Sequence, residues 1–82
     1  MEQDILNAVG NCIKKNGLKS SNKDNCIVIS VNDSKELHVV YDDDHSQVVV
    51  KEKGKIIAST MKIHDIKTFK QLLSLFVATH CK

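Results

Sequence analysis

The fold class predicted from this sequence is α+β: a four-stranded antiparallel β-meander, in the order 1-2-3-4, with amino- and carboxy-terminal helices packed on the sheet. Three observations predict it. Four short runs rich in β-branched residues lie between Cys26 and Lys62, separated by polar connectors of hairpin length. The flanking segments place apolar residues at helical spacing instead. With 82 residues the chain can build one small core, so 1–82 is read as a single domain.

Residues 2–15 form the first predicted helix. Ile5, Leu6, Val9, Cys12 and Ile13 share one face, with acidic residues at its start and lysines at its end, as the helix dipole favours. Asn16-Gly17-Leu18 reads as a glycine-ended cap in which Leu18 folds back toward Ile13. Gly10 is out of place inside a helix, where glycine costs up to ~1 kcal/mol against alanine. It is read as tolerated rather than as a point of close backbone approach. Leu18 to Asn25 is polar after its first residue and is expected to be a flexible loop.

The strands are predicted over 26–31, 37–42, 46–51 and 55–62. In the second hairpin, Asp43 and Asp44 at the tip set Tyr41 against Ser46, Val39 against Val48 and Leu37 against Val50. That register collects one apolar set on a single face, and a slip by one residue would scatter it. Gly54 closes the third hairpin, in a two-residue turn or a three-residue loop; the two options put either Ile57 or Ile56 on the core side. The last helix covers 65–80 with Asp65 as its cap. Ile66, Phe69, Leu72, Leu73, Phe76 and Val77 make a broad apolar stripe, and replacing either phenylalanine by alanine is expected to cost about 3–5 kcal/mol. Leu75 falls off that stripe, beside Ala78.

Composition narrows the class of function. A chain that is 41% hydrophobic and 27% charged belongs with globular domains. No apolar run is long enough to span a bilayer, and Glu2 and Asp4 stand where a secretory leader carries basic residues, so a cytoplasmic location is expected. Cys12, Cys26 and Cys81 are odd in number and lack framework spacing, which suits free thiols in a reducing compartment. A zinc site built from Cys12, Cys26, His80 and Cys81 would lack the paired spacing such sites show, and neither metal nor cofactor is expected. All twelve basic residues are lysine and the net charge is +2, which argues against specific base readout.

Two constellations bear on chemistry. Asp42-Asp43-Asp44-His45 is dense in possible ligands but lacks the spacing, central glycine and terminal glutamate of a calcium loop; it reads as a solvated turn or an acidic contact patch. His38 lies mid-strand, with Cys26 or Ser30 on the neighbouring strand as nucleophiles within possible reach. A half-buried imidazole bonded to a serine or threonine is the expectation, and no enzymatic activity is predicted.

The second sheet face carries the functional expectation. Cys26, Val28, Val40, Val49 and one of the two isoleucines join His38, Gln47, Lys51 and Thr60 there, which is oilier than a face open to water usually is. The protein is therefore expected to be a non-enzymatic protein–protein interaction module and a homodimer. Its size and composition suggest an accessory or inhibitor protein of viral or mobile-element type. Val28, His38, Val40, Val49, Asp42, Asp43, Asp44 and Leu75 are the expected contact residues. The alternative is a nucleic-acid-binding regulator using Lys51, Lys53, Lys55, Lys62, Lys67 and Lys70. The helix–strands–helix order is similar to that of double-stranded-RNA-binding domains, but the likeness stops at element order. The lysines are spread out, and Tyr41 is the one aromatic residue expected on the sheet.

Overall fold

The register of one central hairpin organises the rest of the molecule. The structure is a computed structural model, and it describes residues 2–81 of the chain. Its elements are α1 (Glu2–Asn16), β1 (Lys19–Lys23), β2 (Cys26–Ser30), β3 (Lys35–Tyr41), β4 (Ser46–Glu52), β5 (Lys55–Ser59) and α2 (Ile66–His80). The five strands form one antiparallel sheet in sequence order. Between β3 and β4, Tyr41 pairs with Ser46, Val39 with Val48 and Leu37 with Val50, as the apolar alternation requires. Leu37, Val39, Val48 and Val50 are all fully buried.

The sheet has five strands and not four. The segment expected to be a flexible loop contains β1, whose five residues pair in unbroken register with β2 and are all exposed. Lys-Ser-Ser-Asn-Lys has no apolar alternation because neither of its faces is covered. Its stability comes from backbone pairing to β2 and from the tight Asp24-Asn25 connection, where Asn25 takes a φ of 51°. The strand bounds also shift by a few residues. β3 starts two residues early because Asn32 Oδ1 accepts the backbone N–H groups of Ser34 and Lys35, both at 2.9 Å, which sets a tight turn at Lys35.

The third hairpin settles the isoleucine question differently from either option. Lys53 and Gly54 form a two-residue turn, with φ of 52° and 80°. Glu52 pairs with Lys55 and Lys51 with Ile56, after which a bulge shifts the register so that Val50 meets Ala58. Ala58 therefore takes the core side. Ile56 lies on the reverse face, Ile57 is the extra residue of the bulge, and both are exposed. β5 ends at Ser59 rather than 62, since Thr60 turns inward: its Oγ1 accepts the N–H of Val48 at 3.0 Å. Ile63 then bridges Ser46 through reciprocal backbone bonds of 2.7 and 2.8 Å.

Both helices lie on the same face of the sheet. Ile5 and Val9 of α1 and Phe69, Leu73 and Val77 of α2 join the inward residues of β2, β3 and β4 in one apolar cluster. The helix ends follow their local chemistry. Gly17 adopts a φ of 63° and the N–H of Leu18 returns to the carbonyl of Ile13 at 3.0 Å. Asp65 caps α2 by accepting the N–H of Thr68 at 2.8 Å. Phe69 is fully buried. Phe76, expected beside it, is only half-buried at the margin of the stripe and packs against His80 with the rings tilted and their centroids 5.8 Å apart.

Phe69→Ala should therefore destabilise the fold by about 3–5 kcal/mol, and Phe76→Ala by distinctly less, in urea denaturation followed by circular dichroism. A side chain at Gly10 would meet no neighbouring atom within 4 Å. Gly10→Ala should accordingly raise stability by up to about 1 kcal/mol; a loss in the same assay would mean the position needs its glycine.

Candidate interaction surface

The face of the sheet opposite the helices is left uncovered, and the register assembles it into three rows. Ser21, Val28, His38, Val49 and Ser59 form the middle row from β1 to β5. Lys23, Cys26, Val40 and Gln47 line one side of it, and Lys19, Ser30, Glu36, Lys51 and Ile56 the other. Val28 is nearly buried between neighbours, Val49 is half-buried, and Val40 remains 43% exposed. Four expected contact residues, Val28, His38, Val40 and Val49, thus fall together on one open surface.

The other expected contact residues lie elsewhere. Asp42, Asp43 and Asp44 sit at the end of the sheet, in the turn between β3 and β4. Asp42 Oδ1 accepts the N–H of Asp44 at 2.8 Å and that of His45 at 2.9 Å, and contacts His45 Nδ1 at 3.1 Å. Those backbone donors hold the Asp42 carboxyl below its ordinary range, so it organises the turn. His64 reaches the carbonyl of Asp44 at 3.2 Å and ties the turn to the segment before α2. Leu75 is 57% exposed on α2, on the helix side of the sheet, and so stands apart from the reverse face.

The most exposed apolar group was missed by reasoning from the expected face. Ile56 (63% exposed), Ile57 (49%) and Met61 (84%) lie along β5 and the residues that follow it. β5 is also the edge of the sheet, so one side of its backbone is unpaired. A groove of about 530 Å³ opens behind its end, between the 59–65 segment and α2, with Met61, Ile63, Leu72 and Phe76 as its apolar lining. The doublet Ile56-Ile57 on a terminal hairpin was the available signal; it was obscured because one of the two was assigned to the core.

His38 meets Cys26, one of the two nucleophiles expected within reach, together with a carboxylate. Its Nδ1 faces Cys26 Sγ at 3.9 Å and its Nε2 faces Glu36 Oε1 at 3.1 Å, in place of a serine or threonine. All three residues are on the reverse face. Cys12 and Cys81 are on the other side, packed against the core, where burial pushes both thiols up. The set Cys12, Cys26, His80 and Cys81 is therefore split by the sheet, and among the described residues no group of three or more His, Cys, Asp or Glu is gathered as for a metal. The six lysines of the nucleic-acid alternative are likewise divided: Lys51 is on the reverse face, Lys53 is in a turn, and exposed Lys67 and Lys70 belong to α2.

No helix among the described residues is long and apolar enough to cross a membrane. No protein-family model matches the chain, and neither a curated protein nor a solved structure matches it.

The backbone N–H of Thr68, and after it the Thr68 hydroxyl, also hold the Asp65 carboxyl below its ordinary range. For both aspartates the folded value lies under the unfolded one, so the stability they contribute is present above the unfolded value and lost as pH falls through the folded one. The urea midpoint should decline below about pH 4. An Asp42→Asn, Asp65→Asn double variant should flatten that decline; an unchanged acid slope would assign it to other carboxylates.

Proposed function

We propose that the protein works by binding, as a protein–protein interaction module, and that a second copy docks antiparallel along β5. The observation that supports this is the free, apolar edge of that strand, with Ile57 and Met61 exposed along it and a groove behind. An unpaired edge is a template for another strand. The opposite edge, β1, is guarded by Lys19 and Lys23 and has no apolar residue. β5 has a lysine only at its beginning, and its bulge falls at Ile57, the middle of the strand.

Charge favours a second copy as the occupant. Lys51, Lys53 and Lys55, with Glu52 as their local offset, crowd the start of β5, whereas Asp65 and the Asp44 turn, linked through His64, lie beyond its end, with Lys62 as the offset there. A two-fold axis beside the strand lays each lysine-rich end on the acidic end of the other copy. The two reverse faces then become one surface, with Val40 and Val49 open on each half for a further protein partner. Small size and an all-lysine basic set favour an accessory or inhibitory role of viral or mobile-element type.

Light scattering at high micromolar concentration should report twice the chain mass for the wild type and the single-chain mass for Ile57→Lys. Val49→Lys, on the reverse face, should remain dimeric. A monomeric wild type would remove the second copy from the proposal, and dissociation by Val49→Lys instead would move the interface to the reverse face. Short duplex RNA and DNA should bind weakly; tight binding that collapses with added salt would replace this reading with the nucleic-acid one.

A further inference from the structure

We propose that Cys26 is a reactive thiol, activated by His38 and positioned to form a mixed disulfide with a low-molecular-weight disulfide of the glutathione type. This inference is independent of the dimer described above. It rests on a three-residue relay drawn from two adjacent strands of the open face: Cys26 Sγ to His38 Nδ1 at 3.9 Å, and His38 Nε2 to Glu36 Oε1 at 3.1 Å.

The chemistry fixes the direction of the relay. An ionised carboxylate only accepts, so Glu36 requires the ring proton on Nε2. The lone pair of Nδ1 is then aimed at the thiol and can take its proton. The imidazolium that forms keeps its Nε2–H on Glu36, and this is the pattern of a nucleophile, a base and a group that orients the base. Register explains the placement. Cys26 and His38 are diagonal neighbours, since Val28 pairs with His38 and Cys26 with Val40, while Glu36 and His38 point the same way from one strand. Lys23, paired with Cys26, puts a further cation on the same face.

The other two thiols supply the contrast. Cys12 and Cys81 pack against the core on the helix side, and burial disfavours their thiolates. Cys26 is half-buried on a face that no helix covers, so a small disulfide can reach it.

The step balances without any further reagent. Nδ1 of His38 takes the thiol proton, and the thiolate attacks one sulfur of the small disulfide. A bond forms between Cys26 Sγ and that sulfur while the original S–S bond breaks. The departing half leaves as a thiolate and takes the proton from His38. The Cys26 sulfur is oxidised and the departing sulfur reduced. The adduct stands beside Val40 on the open face, where it would alter what that face can meet.

The test is timed labelling of the folded chain with oxidised glutathione, and separately with iodoacetamide, at neutral pH, with each cysteine followed by peptide mass mapping. Rates in urea, where the three thiols are equivalent, normalise the comparison. Cys26 is expected to react at least about tenfold faster than Cys12 or Cys81 in the folded protein. His38→Gln should lower the Cys26 rate several-fold and leave the other two unchanged, with Glu36→Gln falling between. Circular dichroism of the variants confirms that they fold, and Cys26→Ser should abolish the fast phase. A Cys26 rate unaffected by His38→Gln, or matched by Cys12 and Cys81, would overturn the proposal.

Discussion

There is too little helix in this chain to cover both sides of its sheet, and most of the structure follows from that shortage. Among the described residues, two fifteen-residue helices are the only elements besides the strands. The inward residues of β2, β3 and β4 need a dry lid, because Ile29, Leu37, Val39, Val48 and Val50 reach zero exposure. α1 and α2 together supply it through Ile5, Val9, Phe69, Leu73 and Val77. Neither helix is left over for the reverse face.

The reverse side is consequently a compromise surface. Its valines are shielded in part by their neighbours in the three rows, and polar residues surround them. Val28 at 8% exposure shows how much cover cross-strand neighbours alone provide. The same crowding brings Cys26, His38 and Glu36 together.

The two edges of the sheet are treated differently. β1 ends the sheet with lysine, serine and asparagine, a sequence unsuited to pairing with another chain. β5 ends it with two isoleucines and a bulge. The bulge is confined to Ile57, and the groove against α2 begins at Ser59 and Met61. That asymmetry, more than overall hydrophobicity, is what distinguishes the two edges of the sheet.

The alternation Leu37-x-Val39-x-Tyr41 against Val48-x-Val50 determined the central register, because a face that must be buried tolerates no slip. Spacing likewise determined both helices, and Gly17 and Asp65 their caps, since these are local contacts between residues a few positions apart. β1 was illegible because an exposed edge strand buries nothing and so leaves no apolar pattern; its pairing is decided by the strand beside it. The isoleucines misled for a related reason: a bulge changes facing by one residue, and no side chain encodes it. Phe76 looked equivalent to Phe69 on the helix, yet only the packing of α2 on the sheet determined which ring is sealed. The Cys26–His38–Glu36 contact belongs to tertiary structure too, for twelve residues separate thiol and ring in the chain, and antiparallel pairing alone brings them to 3.9 Å.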